Sequence, residues 1–346
     1  MTSADIKARA AELGFDLCGI APAIAHRELA YQREWLANGY AGEMEYLHRT
    51  AERRQDVRHV MADAQSVICL GTRYNTDRPY STEIADGSVA LIARYAWGED
   101  YHDVIRARMD ALVRWMHEQG DGDLQTCAYV DTGPVQERVY AQHAGLGWIG
   151  KNTCLINEDA GSWLFLSEII CNAALEPDAP SFDQCGTCTL CIDACPTGAI
   201  REPYVLDSTR CVSYLTIELK GAIPEIQREA VGAHAYGCDV CQEVCPWNAQ
   251  PFDGDGGSSP WLPRAVFDGP TIAGLWRTPD ADLRASLKRS AMTRAGVRRL
   301  RRNVAVCAGA TRDPEALAAL REIHEGTCAD PLVAEHVAWA LERDRG

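Results

Sequence analysis

Apolar residues in the first half of the chain recur with two periods, one helical and one strand-like. Helical spacing is found at 4–13, 27–38 and 103–119. Strand-like runs or alternation are found at 66–70, 124–130 and 163–170. Because helices and strands intermix up to about residue 175, the pattern predicts an α/β or α+β domain over residues 1–175.

The last part of the chain has a purely helical pattern. Residues 302–309 and 331–341 are similar to the inner helices of HEAT-type pairs, although a plain helical hairpin is the alternative. Asp313-Pro314 and Asp330-Pro331 have the composition of helix starts. A Gly/Ser/Pro-rich stretch at 251–260 is typical of a linker. We therefore predict a middle domain over 176–255 and an all-α, HEAT-like region over 256–346.

Eight of the 15 cysteines fall into two groups of four, each closed by a Cys-Pro pair. The first run, C-x2-C-x2-C-x3-C-P, has the spacing of bacterial ferredoxins with paired 4Fe–4S clusters. In such runs three thiolates bind one cluster, and the fourth binds the neighbouring cluster. We therefore predict a ferredoxin-like domain with one cluster bound by Cys185, Cys188, Cys191 and Cys245, and a second bound by Cys211, Cys238, Cys241 and Cys195.

Zinc sites and a disulfide framework fit these cysteines less well. Zinc commonly takes two well-separated C-x2-C pairs rather than three thiolates at i, i+3 and i+6 followed by Cys-Pro. An odd cysteine count and a charged N-terminus argue against a secreted, disulfide-bonded protein. We expect a cytoplasmic protein without a membrane span. The other cysteines are expected to be buried small apolar residues, namely Cys18, Cys69, Cys127, Cys154, Cys171, Cys307 and Cys328.

A local basic region contrasts with the formal net charge of −15. Between Leu283 and Arg312 there is no Asp or Glu. Polyanions bind to local basic footprints, but a solvated helix face is the commoner origin of a charge run. Both interpretations stay open here. The residues available for contact with an anionic partner are Lys288, Arg289, Arg294, Arg298, Arg299, Arg301 and Arg302.

Two further motifs lie between the first domain's predicted strands. Asp131 follows the strand predicted at 124–130, where α/β proteins place ligand-binding groups, but a cap for a helix at 135–144 is the more common use of such an aspartate. The loop at 145–151 satisfies G-x-G-x-x-G. Nucleotide-binding loops need a strand before the glycines and a helix after them, whereas here the order is reversed. We therefore reject nucleotide binding for this loop.

Taken together, these motifs resemble the epoxyqueuosine reductase family. The matching segments are Val130-Asp-Thr-Gly-Pro134 with Glu137-Arg138, Gly145 to Asn152, both cysteine sets with Arg210 to Glu218, Tyr95 to His102, and 287–303. They cover nearly the whole chain in the same order. The resemblance implies an enzyme that reduces epoxyqueuosine to queuosine at the wobble position of tRNA anticodons, using cobalamin and two 4Fe–4S clusters.

The resemblance also implies roles for individual residues. Asp131 would be the proton donor, with a pKa raised by burial beside the corrin. A base-off cobalamin, reduced to the cob(I) state, would be bound by Arg54, Asp131, Lys151, Asn152 and Ser213. The proline that usually follows the family's Arg-x-Asp motif is replaced here by Val57.

The same resemblance implies two macromolecular partners for a monomeric protein. One is a tRNA anticodon stem-loop bearing epoxyqueuosine, whose phosphates would meet the basic residues of the tail. The other is an external electron donor of flavodoxin or ferredoxin type. Two alternatives are a corrinoid reductive dehalogenase-like enzyme and an iron–sulfur electron-transfer subunit.

Overall fold

The computed structural model describes residues 1–120, 122–249, 259–322 and 330–343. The helices within these residues are α1 (Ser3–Glu12), α2 (Tyr31–Ala37), α3 (Glu45–Arg49), α4 (Tyr101–Gln119), α5 (Glu137–His143), α6 (Leu190–Asp193), α7 (Glu225–Val231), α8 (Val240–Glu243), α9 (Ile272–Arg277), α10 (Asp280–Leu287), α11 (Gly296–Thr311), α12 (Pro314–Arg321) and α13 (Pro331–Glu342). The strands are β1 (Leu17–Pro22), β2 (Ser66–Arg73), β3 (Leu91–Ile92), β4 (Thr126–Tyr129), β5 (Trp148–Ile149), β6 (Leu155–Ile156), β7 (Leu164–Cys171), β8 (Ile200–Glu202), β9 (Val205–Leu206) and β10 (His234–Tyr236).

A four-stranded antiparallel sheet with the order β1-β2-β7-β4 forms the centre of the first domain. Side chains alternate between its faces, as strand geometry requires. Ile68 and Leu70 pack with α1 and α4 on one face, while Val67 and Cys69 pack with α5 on the other. The predicted mixed domain is therefore present, and the antiparallel pairing makes it an α+β arrangement.

The two cysteine runs fold as a matched pair of loops. The first run contains α6 and the second contains α8, and each of these short helices ends just before a Cys-Pro pair. The antiparallel hairpin of β8 and β9 lies between the runs. The spacing of the cysteines thus produces the same local fold twice.

The helices of the tail begin where the sequence predicts. Asp313 caps α12 through a hydrogen bond from the backbone N–H of Ala316, and Asp330 caps α13, with proline at the start of both helices. α11 packs against α7, α9 and α13. These helices are confirmed, whereas their assignment to HEAT repeats stays a prediction.

One hydrophobic core joins the second cysteine loop to the tail. Val212, Leu215 and Tyr236 belong to the same buried cluster as Leu300 and Val304 of α11. The boundary predicted between residues 255 and 256, with most of the predicted linker, lies outside the described residues. On either side of it the chain shares a core. Among the described helices, none is long and apolar enough to cross a membrane.

Candidate active site and cluster-binding loops

The first predicted set of cluster ligands lines a single cavity. Cys185, Cys188 and Cys191 of the first run and Cys245 of the second surround a volume of about 110 Å³. This is the crossed arrangement expected from the Cys-Pro spacing. Leu190, at the rim of the same cavity, is 49% exposed, so the cavity lies close to the protein surface.

The second set lies deeper in the protein. Burial raises the pKa of the Cys211 and Cys238 thiols, and the electrostatic effect of Cys195 raises both values further. Cys241 interacts electrostatically with both Cys211 and Cys238. Among the described residues, no group of three or more His, Cys, Asp or Glu side chains is arranged to hold a single metal ion.

Lys151 and Asn152 hold the two cysteine loops. Nζ of Lys151 donates hydrogen bonds to the backbone carbonyls of Gly186 at 2.6 Å and Cys188 at 2.9 Å. Nδ2 of Asn152 donates to the carbonyl of Cys241 at 3.1 Å. Both side chains are buried. In the structure, therefore, Lys151 and Asn152 hold the cluster-binding loops, and their contact with a corrinoid stays a prediction.

Arg54 also has a partner within the protein. Its guanidinium donates to the backbone carbonyls of Gly133 at 2.9 Å and Val135 at 2.6 Å. These carbonyls belong to the loop that follows Asp131, so Arg54 positions that loop. Ser213, the remaining predicted corrinoid contact, lies two residues after the cluster ligand Cys211 and is half-buried.

Asp131 does not cap the following helix. Its backbone has a φ of 57°, and α5 begins only at Glu137, with Gln136 as an N-cap that makes no side-chain bond. The carboxylate instead accepts a hydrogen bond from the hydroxyl of Tyr101 at 3.0 Å. The cap interpretation is therefore wrong, and the left-handed backbone turns the Asp131 side chain toward α4.

The carboxylate of Asp131 is open to solvent near Tyr46, Tyr101 and Arg294, and we call the space beside it the Asp131 cleft. The side chain of Asp131 is 61% exposed. Arg294 lies over the Tyr46 ring with its guanidinium carbon 5.5 Å from the centroid. The negative charge of Asp131 contributes to raising the pKa of both side chains. Protein atoms surround the carboxylate, but its face toward the cleft is open to a ligand.

The pKa of Asp131 is shifted in the direction opposite to the one expected. Burial disfavours ionisation, but the hydrogen-bonding groups of His102 and Tyr101 outweigh burial, and the pKa lies below its ordinary value. The raised pKa was expected of a carboxyl group covered by the corrin, and for that bound state it stays a prediction. Asp131 is an ionised carboxylate at neutral pH until something covers the cleft.

Two glutamates, one half-buried and one buried, lie next to Asp131. Glu168 of β7 is 1% exposed and pairs across the sheet with Tyr129. The carboxyl groups of Glu137 and Glu168 share a hydrogen bond, and Glu137 also accepts one from the backbone of Asp131. Burial, and then the charge of a neighbouring carboxylate, raises the pKa of each group. Both are therefore neutral acids under conditions where Asp131 is charged.

The basic region of the tail divides into exposed and structural residues. Lys288, Arg289, Arg294 and Arg298 are exposed. Arg294 pairs with Glu218 at 2.6 Å and Arg298 with Asp330 at 2.5 Å, so acidic residues from outside the basic segment partly neutralise it. Arg299, half-buried, donates to the backbone carbonyl of Ile217 at 2.6 Å.

Arg301 and Arg302 are corrections to the predicted tRNA contacts. Arg301 is 4% exposed and Arg302 is 0% exposed. Arg302 donates to the backbone carbonyls of Leu215, Leu219 and Gly221 at 2.5 to 2.7 Å. A buried guanidinium with its donors used in this way cannot reach a phosphate, because its partners are protein carbonyls.

Sequence reasoning assigned no role to four groups that surround Asp131, namely Tyr101, His102, Glu137 and Glu168. Tyr101 and His102 lie in the first turn of α4, directly after its cap Asp100. A signal for His102 was present, since a histidine beside a carboxylate such as Asp100 is a common site of proton transfer near neutral pH. Glu168 had the weaker signal of a charged residue inside an apolar strand.

Comparison with known proteins places this architecture in one family. A family model described as epoxyqueuosine reductase QueG, DUF1730, matches residues 54–132, and a model of a 4Fe-4S double cluster binding domain matches residues 184–248. The chain therefore has a 4Fe–4S cluster-binding domain where the two cysteine runs lie.

Relatives match over most of their length. The chain is 40% identical to the epoxyqueuosine reductase of Xanthomonas campestris, over 98% of this chain and 95% of that protein. It is 43% identical to that of Gloeobacter violaceus, over 90% of this chain and 97% of that protein. Such identity over nearly full length establishes common family membership.

Solved structures agree with the sequences. An epoxyqueuosine reductase crystallised with an epoxyqueuosine-modified tRNA-Tyr stem loop matches with a TM-score of 0.86 and 29% identity, over 99% of this chain and 89% of that chain. The Bacillus subtilis enzyme, in a structure with its catalytic aspartate loop swung out of the active site, matches with a TM-score of 0.84 and 27% identity, over 99% of this chain and 90% of that chain. The chain belongs to the epoxyqueuosine reductase family of oxidoreductases.

Proposed function

We propose that this protein reduces epoxyqueuosine to queuosine in tRNA, with Asp131 as the proton donor to the departing oxygen. The observation that carries the proposal is the position of Asp131, whose exposed carboxylate is held by a hydrogen bond from Tyr101 on a left-handed turn. A catalytic aspartate on a mobile loop in the Bacillus subtilis relative supports the same role.

Electrons reach the cleft through the two cysteine sets. We assign one cluster to Cys185, Cys188, Cys191 and Cys245, and the other to Cys195, Cys211, Cys238 and Cys241. The first set lies near the surface, whereas Cys211 and Cys238 pack against the same core as the cleft residue Tyr46. The first cluster is thus the entry point for an external electron donor of flavodoxin or ferredoxin type, and the second is the exit toward the cleft.

Cobalamin is the proposed cofactor in the Asp131 cleft. When bound, it supplies a strongly nucleophilic cobalt centre that accepts electrons from a one-electron relay. The space beside the exposed Asp131 carboxylate is where the cofactor would lie, and Ser213 lies beside the second cysteine set. Arg54, Lys151 and Asn152 act one step away by holding the loops that border this space.

The substrate is tRNA whose wobble base enters the cleft. The exposed residues Lys288, Arg289, Arg294 and Arg298 contact the phosphates of the anticodon stem-loop, which positions the base without reading sequence. A relative crystallised with an epoxyqueuosine-modified stem loop supports this partner.

The test is anaerobic conversion of epoxyqueuosine-containing tRNA, followed by nucleoside analysis. We expect conversion by the wild type with cobalamin and reductant, and a loss of about 10²- to 10⁴-fold in Asp131→Asn. The exposed Asp159→Asn serves as the matched control and keeps wild-type turnover. Cluster absorbance, cobalamin titration and tRNA binding are measured for each protein.

Full activity of Asp131→Asn removes Asp131 from the proposed role. A wild-type protein that binds iron–sulfur clusters but neither cobalamin nor tRNA refutes the proposal as a whole, and favours the electron-transfer subunit.

A further inference from the structure

A histidine and an aspartate beside Asp131 have no part in the function proposed above. Nδ1 of His102 lies 2.7 Å from Oδ1 of Asp100, and its Nε2 lies 3.6 Å from Oδ2 of Asp131. The Asp100 carboxylate also accepts a hydrogen bond from the backbone N–H of His102 at 3.1 Å. The imidazole is therefore fixed between two carboxylates, with Nε2 facing the proton donor.

The chemistry creates a need for such a group. Removing the epoxide oxygen breaks both of its C–O bonds, forms a C=C bond between the two carbons and releases the oxygen as water. The clusters supply the two electrons, and the water takes up two protons. Since a carboxyl group carries one proton, Asp131 has to be reloaded within each turnover.

We propose that the Asp100–His102 pair stores the proton that Asp131 passes to the departing oxygen. His102 is thus a positioning residue that acts through Asp131. This inference rests on the proposed function and extends it to the source of the proton.

The charges around the pair support storage on the imidazole. Burial disfavours the imidazolium, but the carboxylates of Asp100 and Asp131 outweigh burial and raise the pKa of His102 to about 9. His102 is therefore a cation at neutral pH, while Asp131 is ionised. Arg264 acts on Asp100, and Arg138 acts on Asp131. The hydroxyl of Tyr101 donates to Asp131, and the carboxyl group of Glu137 also lies beside it.

Substrate binding provides the trigger for transfer. A ligand over the open face of Asp131 removes water from the carboxylate, and desolvation raises the pKa of a carboxyl group. The proton then moves from Nε2 of His102 to Oδ2 of Asp131 as the gap between them closes. In the open cleft the same proton stays on His102.

Asp100 connects the pair to solvent on its other side. It lines an open cavity of about 450 Å³ together with Asp103 and Arg264. When Nε2 of His102 gives its proton to Asp131, Nδ1 keeps its own proton in the hydrogen bond to Asp100. The replacement proton therefore comes to Nε2 from water, to which the His102 side chain is 34% exposed.

The inference is tested by single-turnover reduction of epoxyqueuosine in tRNA between about pH 6 and pH 10. We expect the wild-type rate to fall as His102 loses its proton. Asp100→Asn should move this alkaline decrease to lower pH. His102→Gln should lower the rate by about tenfold or more and abolish the decrease. The control His117→Gln, in the second half of α4, should match the wild type.

Histidine NMR provides a readout that is independent of turnover. The His102 resonance, assigned by its loss in His102→Gln, should titrate well above an ordinary histidine in the wild type and at lower pH in Asp100→Asn. A His102→Gln variant with the wild-type rate and pH profile, or with a lower rate and an unchanged profile, overturns the inference. A wild-type protein that never reduces epoxyqueuosine refutes the proposed function instead.

Discussion

Glu137 and Glu168 have pKa values well above that of an ordinary surface carboxyl group. In the unfolded chain, by contrast, both carboxyl groups have the ordinary pKa of about 4.3. A raised pKa means that the folded protein holds these protons more tightly than the unfolded chain does. The stability that this contributes is complete below the unfolded pKa and is lost as pH rises through the folded pKa.

The prediction is that Glu168→Gln flattens the loss of stability between about pH 5 and pH 8. The neutral amide cannot ionise, so it avoids the cost of a buried carboxylate at high pH. Denaturant midpoints of the anaerobic holoprotein at the two pH values provide the measurement, with the exposed Glu34→Gln as control. Equal pH slopes for Glu168→Gln and the wild type would contradict it.

Arg302 belongs to the basic run of the tail, but it stabilises the fold and does not reach a ligand. Burial lowers its pKa to about 9, yet three backbone carbonyls around the segment after Cys211 accept its hydrogen bonds. Without the guanidinium these carbonyls lose their donor, and each buried acceptor left unsatisfied costs about 1–3 kcal/mol.

We therefore expect Arg302→Gln to destabilise the protein by about 3 kcal/mol or more and to reduce cluster occupancy near Cys211. Lys288→Gln, in the same basic region but exposed, should leave stability unchanged. Thermal or denaturant unfolding with iron analysis checks both. The assignment fails if Arg302→Gln is as stable as Lys288→Gln but binds tRNA more weakly.

The arrangement of the two cysteine loops predicts which cysteines bind the same cluster. Because Cys245 lies with the first run, it should serve the surface cluster although it belongs to the second run in sequence. Cys245→Ser should therefore perturb the same cluster as Cys188→Ser. Cys195→Ser should instead perturb the cluster affected by Cys238→Ser.

Electron paramagnetic resonance of the reduced variants distinguishes the two clusters, with Cys127→Ser as a control outside both sets. Matching spectra for Cys245→Ser and Cys238→Ser would show that the ligands are not crossed.

The molecule as a whole exposes a smaller basic surface in its tail than its sequence suggests, because Arg301 and Arg302 are buried. Each exposed phosphate contact contributes about one unit to the slope of log affinity against log salt. Lys288→Glu and Arg289→Glu should each weaken tRNA binding several-fold and reduce that slope. Arg114→Glu, on α4, should not. Binding measured by fluorescence anisotropy at several salt concentrations is the test, and a salt-independent affinity would exclude this surface.

Long periodic segments and metal-type spacings were readable from the sequence because they depend on neighbours along the chain. The strand of 66–70, the helix of 103–119 and the Asp-Pro helix starts are local patterns of this kind. The C-x2-C-x2-C-x3-C-P run is another, and the family model of a double cluster domain covers it.

Only the tertiary structure decided which polar side chains are available to bind a ligand or to transfer a proton. Arg54, Lys151, Asn152 and Arg302 look like ligand contacts in sequence, but each donates to backbone carbonyls far away along the chain. His102 becomes the neighbour of Asp131 only because α4 and the end of β4 meet. Hydrogen-bond partners and pKa values are set by residues that the sequence separates, so no local pattern records them.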